Sequence, residues 1–143
     1  MSTLSSTALT IGAALSASAA IAHLACIALG PSAYRFMGAG EKMARAVEAG
    51  RIKPTVVTLA ISAVLLGWAA YALSGAGVIG PLPLTKLALL AITAVYIARA
   101  VAFPLLRPAF PENSATFWYV SSGICLVIGL LHAVGLASGW SAL

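Results

Sequence analysis

The sequence predicts an all-α integral membrane protein: a bundle of four transmembrane helices with one short interfacial helix. Three observations carry that prediction. Four apolar runs each approach the ~20 residues a helix needs to cross a ~30 Å hydrocarbon core. The chain is 62% hydrophobic and only 8% charged, whereas a soluble domain carries about a quarter charged residues. The runs show no strict alternation and are too long for barrel strands. Backbone groups in lipid must satisfy one another, so the runs are read as helices. The 143 residues form one membrane domain with a mean hydropathy of +1.05.

The first span is predicted over 7–29. No Lys or Arg precedes it, so it lacks the basic start of a signal peptide and is expected to be a retained membrane helix. The second span is predicted over 55–73, entered at Pro54. The third covers 85–103 and contains Arg99; the fourth covers 117–137, with Asn113 expected to cap it. Between the first two lies a basic loop, 30–54, holding Arg35, Lys42, Arg45, Arg51 and Lys53 against Glu41 and Glu48. Within it "GEKMARAVEAG" predicts a short amphipathic helix, with Glu41 and Arg45 one turn apart and Gly50 as terminator.

Charge sets the expected orientation. The first and third loops share a side and carry most of the cations, while both tails lack Lys and Arg. Positive-inside counting puts those loops in the cytoplasm and both termini outside, as in a multi-pass protein of a bacterial cytoplasmic membrane. The five basic residues of the first loop are expected to contact anionic lipid head groups. The net charge of +5 is thereby explained by topology, with no nucleic acid as partner.

Small side chains recur at helical spacing. The first span shows Gly12, Ser16, Ala19, His23 and Cys26; the fourth shows Ser122, Cys125, Gly129, His132 and Gly135; the second shows Thr58, Ser62 and Ala69. Membrane helices associate through such faces, which also offer a route to homo-oligomers. Two intramembrane histidines raise bis-histidine haem ligation. Their predicted depths differ by ~14 Å along the membrane normal at 1.5 Å per residue, too far for one iron, so no haem or other cofactor is expected. No metal-ligand spacing involves the two cysteines, Cys26 and Cys125, which are read as packing residues.

Arg99 is the puzzle. A central Arg costs ~2.5–3.5 kcal/mol on insertion scales. Three accounts follow: snorkelling to an interface brought close by Pro104, pairing with Glu41, Glu48 or Glu112, or a cytoplasm-facing pocket. In the pocket reading Arg99 and His23 anchor a ligand, with Tyr96, Phe103 and Trp118 around its apolar body. A guanidinium suits carboxylate or phosphate, so the ligand is an anionic, lipid-like amphiphile. Phe117, Trp118 and Tyr119, and at the other end Trp140, are otherwise expected as an aromatic belt.

The residues present also exclude. No Asp or Glu lies in any predicted span, and the chain contains no Asp at all, which removes a Ser-His-Asp triad and an embedded carboxylate relay. No phosphate-binding glycine loop follows a strand. The function expected is a non-enzymatic membrane module binding a hydrophobic anionic molecule. An accessory subunit of a larger membrane complex is the alternative. A small membrane enzyme using His23, Tyr96 and Arg99 comes third.

Overall fold

The computed structural model describes residues 2–143. It is all-α, with no strand among those residues. The helices are α1 (Thr3–Leu29), α2 (Pro31–Phe36), α3 (Glu41–Glu48), α4 (Lys53–Gly75), α5 (Thr85–Val101), α6 (Phe103–Leu106, continued by a 3-10 turn at Arg107–Ala109) and α7 (Ala115–Gly139). Three of them, α1, α4 and α7, are long and apolar enough to cross a membrane. A fourth crossing is obtained if α5 and the segment after it, bent by 65°, count as one broken span.

The predicted spans and the observed helices agree within four residues at each end, apart from one break. The third run stops at Val101 instead of continuing through Phe103. Pro104 is the cause: it cannot donate to the carbonyl one turn back, and its ring collides with it. The chain turns at Ala102 and restarts as α6 with that proline in its first turn. A second departure is α2, which the sequence reading leaves as loop. Gly30, at φ +82°, ends α1, and Pro31 opens the next helix at once. A third concerns capping. Ser114 caps α7 by accepting the Phe117 N–H (3.0 Å), and Asn113 donates instead to the Gly38 carbonyl (3.1 Å).

The long helices form a ring in which α1 packs on α4 and α7, and α5 packs on α7 and, less extensively, on α4. The small faces are what meet. Along the α1–α7 seam Leu9 lies against Gly135 and the His132 ring against Gly12, where an added Cβ would come within 2.5 and 2.8 Å of them. Ser5 donates to the Gly135 carbonyl at 2.7 Å. On the other flank Ser6 reaches the Ala76 carbonyl (2.9 Å) and Ser62 the Ala20 carbonyl (3.4 Å). Without a hydrophobic drive between helices in lipid, close backbone approach and such hydrogen bonds are the cohesive terms. Large apolar side chains point outward instead: Ile21, Leu59, Leu87, Val127 and many others are exposed.

At the bundle's centre Tyr96 is buried. Its hydroxyl bonds Ser16 Oγ (2.8 Å), and its ring meets Trp68 edge-on at 5.1 Å and His132 at 5.6 Å. At the end opposite α3, Ser74 Oγ accepts the Leu82 N–H (2.9 Å), and Lys86 sits 4.6 Å from the centre of the Trp140 ring.

Candidate functional site

The site lies where α2 and α3 fold back over the ends of α1 and α4. Glycines shape this segment: Gly38, Gly40 and Gly50 take φ values of +76°, +89° and +67°, a region closed to most L side chains. They set α2 and α3 side by side. Arg35 then forks onto Glu41 with two bonds of 2.9 Å and reaches Glu48 at 2.8 Å. Arg45 adds a 3.2 Å contact to Glu41 one turn earlier, as the sequence spacing predicts. Bidentate guanidinium–carboxylate geometry is the strong form of such a pair. The Arg35 hydrogen bonds hold the Glu41 carboxyl down at about 2, against an ordinary value of 4.5.

A pH dependence follows. Because the Glu41 value is depressed in the folded state, its contribution is fully present above 4.5 and is lost as the pH falls towards 2. The rate of pepsin cleavage within 36–50, taken at each pH as the ratio of the parent to Glu41→Gln so that the protease's own pH dependence cancels, is therefore expected to rise towards one as the pH falls from 4.5 to 2.

Beneath this segment is a cavity of about 270 Å³. His23, Cys26, Tyr34, Met43, Thr58 and Phe110 are among its walls. His23 Nδ1 lies 2.7 Å from the Ala19 carbonyl. A carbonyl only accepts, so Nδ1 carries the proton and Nε2 is left as the ring's acceptor. The Thr58 and Tyr34 hydroxyls bond each other at 3.0 Å. Next to it is a second cavity of about 330 Å³, lined by Lys42, Arg51 and Lys53 with Glu112, and by the apolar Ala46 and Ala109. The two share Ala39, Met43 and Phe110. The arrangement is an apolar chamber with a few polar groups, opening beside a cluster of cations.

The structure separates the residues that the sequence groups around Arg99. His23 lines the first cavity; Arg99 lines neither. Tyr96 faces the bundle centre through Ser16, and Phe103 packs edge-on against Tyr119 at 5.5 Å. Trp118 is buried rather than in a belt, since three consecutive helical residues cannot all face lipid. It lies between the two groups, 5.5 Å from the Phe117 ring and 6.4 Å from that of Phe110. Among the described residues its Nε1 has no hydrogen-bond partner, nor has His132 Nε2. The histidines are far apart: the His132 ring contacts Gly12, and His23 lies eleven positions along α1 from Gly12, ~16 Å of helix. Of the five basic residues of the first loop, Lys42, Arg51 and Lys53 line the site, while Arg35 and Arg45 are engaged with Glu41.

Arg99 is held by neutral partners. Its guanidinium donates to Ser121 and Ser122 Oγ at 3.3 Å each and lies 5.4 Å from the centre of the Trp118 ring. No carboxylate reaches it. Glu41 and Glu48 bind Arg35, and Glu112 accepts the Glu41 N–H. It occupies the last turn of α5, where helix carbonyls favour a cation, and Pro104 has brought that turn to the end of the helix. Arg99→Leu is expected to change stability by less than about 1 kcal/mol, because the lost cation–π contact offsets the relieved desolvation. Thermal unfolding in nanodiscs checks this.

Tyr34, Thr58, Met43, Phe110 and Glu112 are site residues that the sequence reading does not single out as such. Phe110 alone had a signal, as an aromatic residue between two prolines on the cation-rich side. The chain matches no protein-family model, no curated protein and no solved structure.

Proposed function

We propose that this chain is a non-enzymatic, multi-pass membrane module that holds an anionic, lipid-like amphiphile at its cation-rich end. The acidic head lies among Lys42, Arg51 and Lys53, and the apolar body lies against Met43 and Phe110 towards His23. In this reading α1, α4, the broken α5–α6 segment and α7 are four crossings, and α2 and α3 rest on the cytoplasmic surface with both termini outside. The excess of Lys and Arg in 30–54 supports that orientation.

The observation that carries the proposal is the common wall of the two cavities, formed by Ala39, Met43 and Phe110. Pockets for small molecules are mostly apolar with a few placed polar groups, and an amphiphile needs both kinds of wall in contact. Compared with the sequence reading, His23 keeps its role as the inner polar anchor. Arg99 gives up the ionic role to the three cations of the rim.

Native mass spectrometry of the protein, extracted in mild detergent from its host's membranes, tests the reading. A discrete added mass on the chain is expected, and it is expected to disappear in Met43→Trp, which fills the shared wall. A bare chain overturns the proposal. A chain recovered only with a fixed larger partner replaces it with the accessory-subunit reading.

A further inference from the structure

We propose that α2 and α3 form a hinged cap over the His23 cavity, and that Glu112 and Asn113 are the latch holding it shut. The inference rests on the amphiphile reading for what enters the cavity; the latch itself is testable with no ligand present.

The cap is one body. Arg35 bonds Glu41 and Glu48 across the two helices, and Ala44 of α3 is fully buried against Tyr34 of α2. Glycines flank the cap: Gly30 before α2 and Gly50 after α3, both at positive φ and both in open space. Hinges need residues whose backbone tolerates large dihedral changes, and a body locked by Arg35 between two such positions can swing without unwinding either helix.

Apart from the apolar contact of Tyr34 and Ala44 with Cys26 of α1, little ties the cap to the rest of the protein. Among the described residues three side-chain hydrogen bonds do so. Tyr34 meets Thr58 inside the cavity. The other two come from neighbouring residues in the turn before α7. Glu112 accepts the Glu41 N–H, and Asn113 donates to the Gly38 carbonyl. Gly40 supplies no side-chain cap for α3, so Glu112 satisfies an N-terminal donor from 71 residues away. The same turn and the start of α7 seat the cap sterically. The Phe117 ring lies flush against Gly38 and leaves no room for a Cβ there, and a Cβ at Gly40 would meet Glu112 Oε1 at 2.9 Å and the Phe110 ring at 3.1 Å. Both contacts fall at the turn between α2 and α3, so releasing them frees the edge of the cap nearest Phe110, which lines both cavities.

Cys26, only 4% exposed and part of the cavity wall, reports opening. In full-length protein carrying Cys125→Ala, the rate of N-ethylmaleimide labelling at Cys26 measures it. Glu112→Ala with Asn113→Ala is expected to raise that rate tenfold or more. Glu112→Gln, which still presents an acceptor to the Glu41 N–H, is expected to stay within about threefold of the parent. Ser5→Ala, which loosens the far end of the bundle, controls for general destabilisation and is expected to leave the rate unchanged. A double latch variant that labels within twofold of the parent overturns the latch, as does equal acceleration by Ser5→Ala. Phosphatidylglycerol provides the separate arm. If it slows labelling while the latch variants have no effect, the ligand reading stands and the latch falls. If the latch variants accelerate labelling and phosphatidylglycerol gives no protection, the latch stands and the ligand reading falls.

Discussion

Gly135→Leu is expected to destabilise the bundle by about 3 kcal/mol, at the upper end of what overpacking a well-filled interior costs. The first atom of the new side chain would lie 2.5 Å from Leu9 Cγ. Leu9 is fully buried, so it has nowhere to go. Relief by separating α1 from α7 breaks the 2.7 Å bond from Ser5 to the Gly135 carbonyl and lifts Gly12 off the His132 ring. In lipid those contacts are the cohesion itself, because no hydrophobic gain draws the helices back together. Leu9→Ala in the same chain removes the obstructing atoms and is expected to recover most of the loss. Thermal unfolding of the single and double variants in one detergent checks both statements. A single variant as stable as the parent would mean that the seam is looser than the geometry describes.

The second large effect concerns binding. Replacing Lys42, Arg51 and Lys53 together by Gln is expected to weaken phosphatidylglycerol binding by about a hundredfold, from ~1 kcal/mol for each basic residue near an anionic surface. Titration by native mass spectrometry measures it, and raised salt is expected to narrow the gap by screening. Arg107→Gln is the matched control. It removes a cation close in sequence to Ala109 and Phe110, but Arg107 lines neither cavity. Its effect is expected to stay below about fivefold. Equal losses in the two variants would point to a diffuse surface attraction and remove the argument for a built site.

The sequence makes the spans legible because hydropathy over twenty residues sums many small, consistent contributions. It makes the small faces legible too: Gly12, Ser16, Gly129, His132 and Gly135 are all buried. It could not say which polar side chains meet. Tyr96 and Arg99 are one turn apart on α5, and a shared stripe suggests a shared pocket. Yet Tyr96 turns towards Ser16 and Arg99 towards Ser121 and Ser122. That outcome depends on the rotation of each helix within the ring, which hydropathy barely constrains when every face is apolar. The site itself was harder still. Glu112 and Asn113 touch Glu41 and Gly38 across more than seventy residues, and only the three-dimensional path of the chain brings them together. The basic loop gave away its charges and one of its two helices. Its partner α2 was hidden by a Gly-Pro pair that reads equally well as an ending.

The break at Ala102 bears on where in a cell such a protein can settle. The 17 residues of α5 make a rod of ~26 Å, whereas the 23–27 residues of the other long helices make ~35–40 Å. One flank is thus shorter than an average ~30 Å hydrocarbon layer and the others exceed it. A bilayer around this chain is asked to be two thicknesses at once. On the four-crossing reading proposed above, lipid beside α5 is expected to be drawn inward while the longer helices take up their excess by tilting or by thickening the layer, each ångström of mismatch carrying a fraction of a kcal/mol. On that reading the molecule is expected to act as a wedge in its own annulus.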